Sequence, residues 1–268
     1  VKFRVAIVPL LAAVVSVAAA SAGARHALAA DQPAPAEQTY FDTLAVMHAI
    51  PNAPFLRFDY HFAQVASGIP DHQEDWHVVE RTEDGRASLK DDRGKERAEG
   101  GAERGRPFFY VRPDLFLKPP VAASPHQFGI VTDTPYKVIG STRTATHYVI
   151  TDASAETTAD CPGATHLRLR PKAGADPFYY NLRELWIAPA SSRICKVNAV
   201  WYAGNYMGHR FSVTFTLDVA ADTGLIDRWS AAGVARNGPF HSSYHADGHY
   251  ADVKRESSEP AGLFDRAE

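Results

Sequence analysis

His241, His245 and His249 recur at four-residue spacing, with Asp247 and Asp252 close by. Neutral imidazoles that converge bind zinc or copper, so these three are the chain's candidate metal ligands. The segment contains Ser242-Ser243 and Asp247-Gly248 and suits a strand better than a helix. On a strand, equal parity puts all three on one side, yet four residues span about 13 Å at 3.3 Å per residue. An extended chain cannot bring all three to one ion. A secreted metal-dependent enzyme or metal-binding protein therefore stands as an alternative to a plain polar face of the last strand.

Other chemistry is sparse. There is no Gly-x-Ser-x-Gly elbow, His-Glu-x-x-His helix, glycine-rich phosphate loop or paired-cysteine zinc pattern, so no catalytic residue is assigned and no cofactor is implied. Cys161 and Cys195 are the only cysteines. They are expected to form a disulfide in an oxidising compartment, with two separate buried thiols as the alternative. Arg57, Asp59 and His61 share one parity of the first strand and read as its solvated side.

Stepping from residues to chain, 268 residues with 45% hydrophobic and 22% charged content describe a globular protein with ample core. Lys2, Arg4 and Arg25 precede any acidic residue, and without residues 1–30 the formal charge moves from −3 to about −6, which disfavours a nucleic-acid partner. Residues 1–30 read as an export signal: two basic residues, an uncharged run from Val5 to Ala24, and small residues at Ala27 and Ala29. The run is also long enough for a membrane anchor. The chain after it is expected to be one exported domain, 31–268, periplasmic or extracellular.

Within that domain, Asp31 to Ala36 is a Pro-bearing linker. Tyr40, Phe41, Leu44, Met47 and His48 predict a helix stopped by Pro51 and Pro54. Alternation then takes over, with Leu56, Phe58, Tyr60 and Phe62 on one face of a first strand. Further strands are predicted at 75–82, 86–90, 136–139, 146–152, 165–171, 184–188, 192–202, 210–219, 225–232 and 244–254. The clearest sets Phe211, Val213, Phe215, Leu217 and Val219 against Ser212, Thr214, Thr216 and Asp218. The charged, glycine-bearing segment 90–106 is expected to be a mobile loop. The stretch 107–120, greasy but broken by prolines, reads as a plug or a movable flap at one mouth of the sheet. The fold class is mainly β with an N-terminal helix (α+β), a curled, largely antiparallel sheet.

The order of these elements, with Thr165-His-Leu-Arg-Leu-Arg-Pro171, Leu182-Arg-Glu-Leu-Trp-Ile-Ala-Pro189, Ser192-Arg-Ile-Cys-Lys-Val197 and Pro260-Ala-Gly-Leu-Phe-Asp265, resembles the periplasmic outer-membrane lipoprotein carrier and sorting proteins, the Lol type. Ala188 stands where that family has Asp. The resemblance implies an incomplete β-barrel with a helical lid and an apolar interior that shelters acyl chains. It implies a lipid or acylated lipoprotein as partner, with a membrane-associated acceptor, and no enzymatic activity. Leu56, Phe58, Tyr60, Phe62, Phe116, Leu117, Phe211, Phe215 and Leu217 are the expected lining, each equally at home in an ordinary core. A structural or interaction module with a filled interior is the remaining alternative.

Overall fold

The computed structural model describes residues 35–83, 87–91, 96–98, 111–117, 130–131, 148–172, 180–206, 209–237 and 240–260. One helix, α1 (Pro35–Ala49), precedes β1 (Phe55–Ala66), β2 (Ile69–Arg81), β3 (Ala87–Lys90), β4 (Glu96–Ala98), β5 (Ile130–Val131), β6 (Tyr148–Glu156), β7 (Ala164–Pro171), β8 (Tyr180–Ala188), β9 (Arg193–Tyr206), β10 (His209–Val219), β11 (Ile226–Asn237) and β12 (Phe240–Glu256). All strands join one sheet in the order β4-β3-β2-β1-β12-β11-β10-β9-β8-β7-β6, and β5 pairs in parallel with β8. The remaining pairings are antiparallel. Among the described residues β4 and β6 do not pair with each other, so the sheet is open.

The alternation that writes the strands also sorts their faces. Val213, Phe215, Leu217 and Val219 are buried while Ser212 and Thr214 are exposed. Buried inner positions run from Val78 on β2 to Leu167 and Leu169 on β7. At about 4.8 Å per strand the sheet is roughly 50 Å wide, whereas a helix is about 10–12 Å across. α1 buries Tyr40, Phe41, Leu44 and Met47 in the same core and lies against β9 and β6. It covers only a fraction of that width.

Three details depart from the sequence expectation. α1 begins at Pro35 inside the expected linker, because proline is tolerated where the first helical N–H has no partner anyway. Residues 96–98, expected in a loop, form β4 against β3: backbone pairing at a sheet edge needs no apolar side chains. β2 starts at Ile69 and not near 75, since its first half presents His72 and Glu74 on the inner side and escapes an apolar alternation test. The strand expected at 136–139, the turn at 84–86 and most of the charged segment lie outside the described residues. Asp252, at φ 53°, takes a left-handed conformation where β12 carries an extra residue opposite Phe58 between Arg57 and Asp59, as a β-bulge does.

Candidate functional site

The candidate site is the inner face of the sheet and its two ends. Leu56, Phe58, Tyr60 and Phe62 point inward and are buried. Their rings run into those of the neighbouring strands: Tyr60 stacks on Tyr250 at 5.2 Å, Phe58 meets Tyr250 edge-on at 5.5 Å, and Trp229 lies 6.1 Å from both Phe62 and Phe215. Beside this aromatic patch the cross-strand row Ala246, Ala231, Phe215, Ala199 sets three small side chains around one ring, all of them buried. Gly248 faces the Trp229 indole so closely that any Cβ there would collide with it. Burial pushes the Tyr60 and Tyr250 phenols well above their ordinary range, with the Trp229 indole acting against that rise, and burial raises Tyr244 too. Leu56, Phe58, Tyr60, Phe62, Phe116, Leu117, Phe215 and Leu217 all belong to one contiguous core. Phe211 is paired through its backbone with Ala203 and Ala235, and its side chain lies outside the described residues. Burial in a shared core is what a ligand lining and a plain core have in common.

One end of the face is fastened. Residues 111–117, from the proline-broken stretch, fold into turns that bury Leu115, Phe116 and Leu117. The Arg112 guanidinium donates to Glu80 (3.0 Å), to both carboxylate oxygens of Asp114 (3.0 Å each) and to the Thr82 carbonyl (2.9 Å). Glu80 and Asp114 are 0% and 1% exposed. Asn52 donates to Asp114 at 2.7 Å, the Tyr250 hydroxyl donates to the Val111 carbonyl, and the Ile226 amide donates to the Pro113 carbonyl at 2.7 Å. At the same end Gly224, at φ 71°, has room for no side chain: a Cβ would lie 2.7 Å from both Ile50 and Leu117. Helix end, plug and β10–β11 turn thus meet at a point that only glycine fits. This segment is built as a plug; the network that clamps it was invisible in the sequence because Glu80 lies 32 residues from Arg112 along the chain.

The opposite end loosens and becomes polar. Along the inner side of β2, burial falls from Glu80, Val78 and Trp76 to half-buried Glu74 and His72; the partner of Glu74, Phe62, is buried, while the partner of His72, Gln64, is half-buried. The Glu74 carboxylate lies 2.8 Å from His72 Nε2 and accepts from the Trp76 indole at 3.0 Å, while the His72 ring meets Phe62 edge-on at 6.4 Å. Sequence reasoning missed this cluster. The parity of His72, Glu74, Trp76, Val78 and Glu80 against the inward set of β1 was the available signal.

The outer face carries the histidines. His61 pairs with Asp75 and stacks on His249 at 4.7 Å, His77 sits 2.6 Å from Asp59, and His245 lies 3.9 Å from Asp247. His245 and His249 are exposed on β12, and the side chain of His241 lies outside the described residues. Among the described residues no group of three or more His, Cys, Asp or Glu could hold a metal ion. Between His249 and Asp247 on β12 and Arg228 and Asp218 on β10–β11, the small Ser230 leaves a hollow of about 190 Å³. It is filled electrostatically by the Arg228–Asp218 pair at 2.6 Å, which also holds the guanidinium in its charged form. Further along this face Cys161 and Cys195 form a disulfide with Cα atoms 6.1 Å apart. It packs with Trp186, whose ring stacks on His166 at 4.3 Å.

No family model and no curated protein matches the chain. Among solved structures, it is similar to a LolA superfamily protein from Nitrosomonas europaea at 12% identity, covering 84% of this chain and 96% of that one with a TM-score of 0.36. It is also similar to a DUF1329 family protein from Desulfovibrio piger at 6% identity, covering 87% and 98% with a TM-score of 0.40. At such TM-scores neither likeness decides what this chain does. No helix among the described residues is long and apolar enough to cross a membrane.

Proposed function

We propose that this chain is an exported, non-enzymatic binding protein that shelters an acyl chain, carried by a lipid or an acylated lipoprotein, against the inner face of its sheet, with α1 as the lid. The observation that carries the reading is the asymmetry of that face: apolar through its middle, clamped at the plug end, relaxed and polar at the other. Each buried CH₂ is worth about 0.8 kcal/mol, so a 16-carbon chain represents roughly 12 kcal/mol of exposure to hide. Only a broad oily surface matches that demand. The sequence resemblance to Lol-type carriers agrees, and it supplies the suggestion of a periplasmic setting and a membrane-associated acceptor.

Solvent extraction and native mass spectrometry of the purified protein should reveal co-purifying acyl species. Their absence, together with no uptake of added lipid, would leave the second reading, an interaction module with a filled interior. The ring contacts around Tyr250 and Trp229 favour that reading.

A further inference from the structure

We infer that the relaxed end of the inner face selects the head group of its ligand, and that the ligand is an amphiphile with a cationic, ammonium-type head. This rests on the acyl-binding reading and specifies its chemistry. The cluster is Glu74, His72, Trp76 and Phe62. Glu74 is 13% exposed at the side chain and sits where the oily inner positions of β2 give way to half-buried ones. Its two oxygens are oriented by separate donors, His72 Nε2 at 2.8 Å and the Trp76 indole N–H at 3.0 Å. The cross-strand partner of Glu74 is Phe62. A carboxylate fixed at the limit of an apolar face attracts a cation through its charge and repels an anion. The ligand's chain then runs inward past Phe62 and Trp229, toward the plug. Among the described residues, the charged groups at the plug end, Arg112, Glu80 and Asp114, are committed to one another.

The test uses three amphiphiles with the same 12-carbon chain and different heads, each below its micelle concentration: dodecyltrimethylammonium, dodecyl maltoside and dodecanoate. Affinities are measured by calorimetry on the whole protein and on Glu74→Gln. The expected order is cationic, neutral, anionic. The substitution should weaken the cationic ligand about five- to tenfold, strengthen dodecanoate, and leave the maltoside within about twofold. The maltoside doubles as the control that the variant is folded, and Glu74→Asp should retain the preference. Binding of all three without preference, or a preference that survives Glu74→Gln, overturns the head-group assignment and leaves the acyl reading standing. No binding of any of the three overturns both.

Discussion

Replacing Arg112 by Met tests the plug and, through it, the logic of a face open at one end only. The guanidinium holds Asp114 through both oxygens and Glu80 through one, and both carboxylates are buried. Removing a cation from a buried ion network typically costs about 3–5 kcal/mol, because the charge left behind is uncompensated. Arg112 is itself 28% exposed, so solvent screens part of the interaction and the lower half of that range is expected, about 3–4 kcal/mol. One further effect separates this mechanism from lost packing. Adding Glu80→Gln and Asp114→Asn to the Met variant should recover at least half of the loss. Urea unfolding measures each quantity from the midpoint at constant slope. A loss under about 1 kcal/mol, or a larger one that the companion substitutions do not relieve, refutes the idea that this ion network fastens the plug.

Other consequences can be read in the same assays. His48 lies in the last turn of α1 with both ring nitrogens buried and without hydrogen-bond partners, and burial lowers its pKa. The fold therefore favours the neutral ring: the stability it confers is present above about pH 6.5 and is lost on acidification below that value. His48→Phe should flatten the thermal-midpoint profile between pH 7 and 5, and an unchanged slope would count against it. Gly248→Ala should cost about 2–4 kcal/mol and alter the near-ultraviolet circular dichroism, because Trp229 must leave its seat; an unperturbed spectrum contradicts that packing. The disulfide closes a loop of 34 residues. Cys161→Ser with Cys195→Ser should cost about 3–4 kcal/mol by the loop-entropy relation, with a loss below about 1 kcal/mol as the contrary result.

Much of the sheet was legible because its strands obey period-two alternation strictly. Phe211 to Val219 and Leu56 to Phe62 write one apolar face each, and the strands observed overlap those expectations. Failures arose where backbone pairing or polar chemistry replaced that pattern. β4 exists through edge pairing, and the first half of β2 carries Glu74 and His72 on the side where an apolar residue was sought. The site divides the same way. Its oily part could be read from residue type and parity. Its polar ends could not: Glu80 and Arg112, or His72 and the Phe62 ring, become neighbours only when register and plug are fixed. The histidines show the converse, a conspicuous sequence spacing that pleated geometry spreads along an outer face.

Tryptophan quenching by a brominated acyl chain is the most direct test of a ligand on the inner face. Trp229 lies among the inner rings, whereas Trp186 packs on the outer side beside the disulfide. In variants that keep one tryptophan and carry Phe elsewhere, a chain brominated near its middle should quench Trp229 strongly and saturably while leaving Trp186 bright. Equal quenching of both, or quenching of Trp186 alone, would mean that the chain adsorbs outside and that the inner face is only a core.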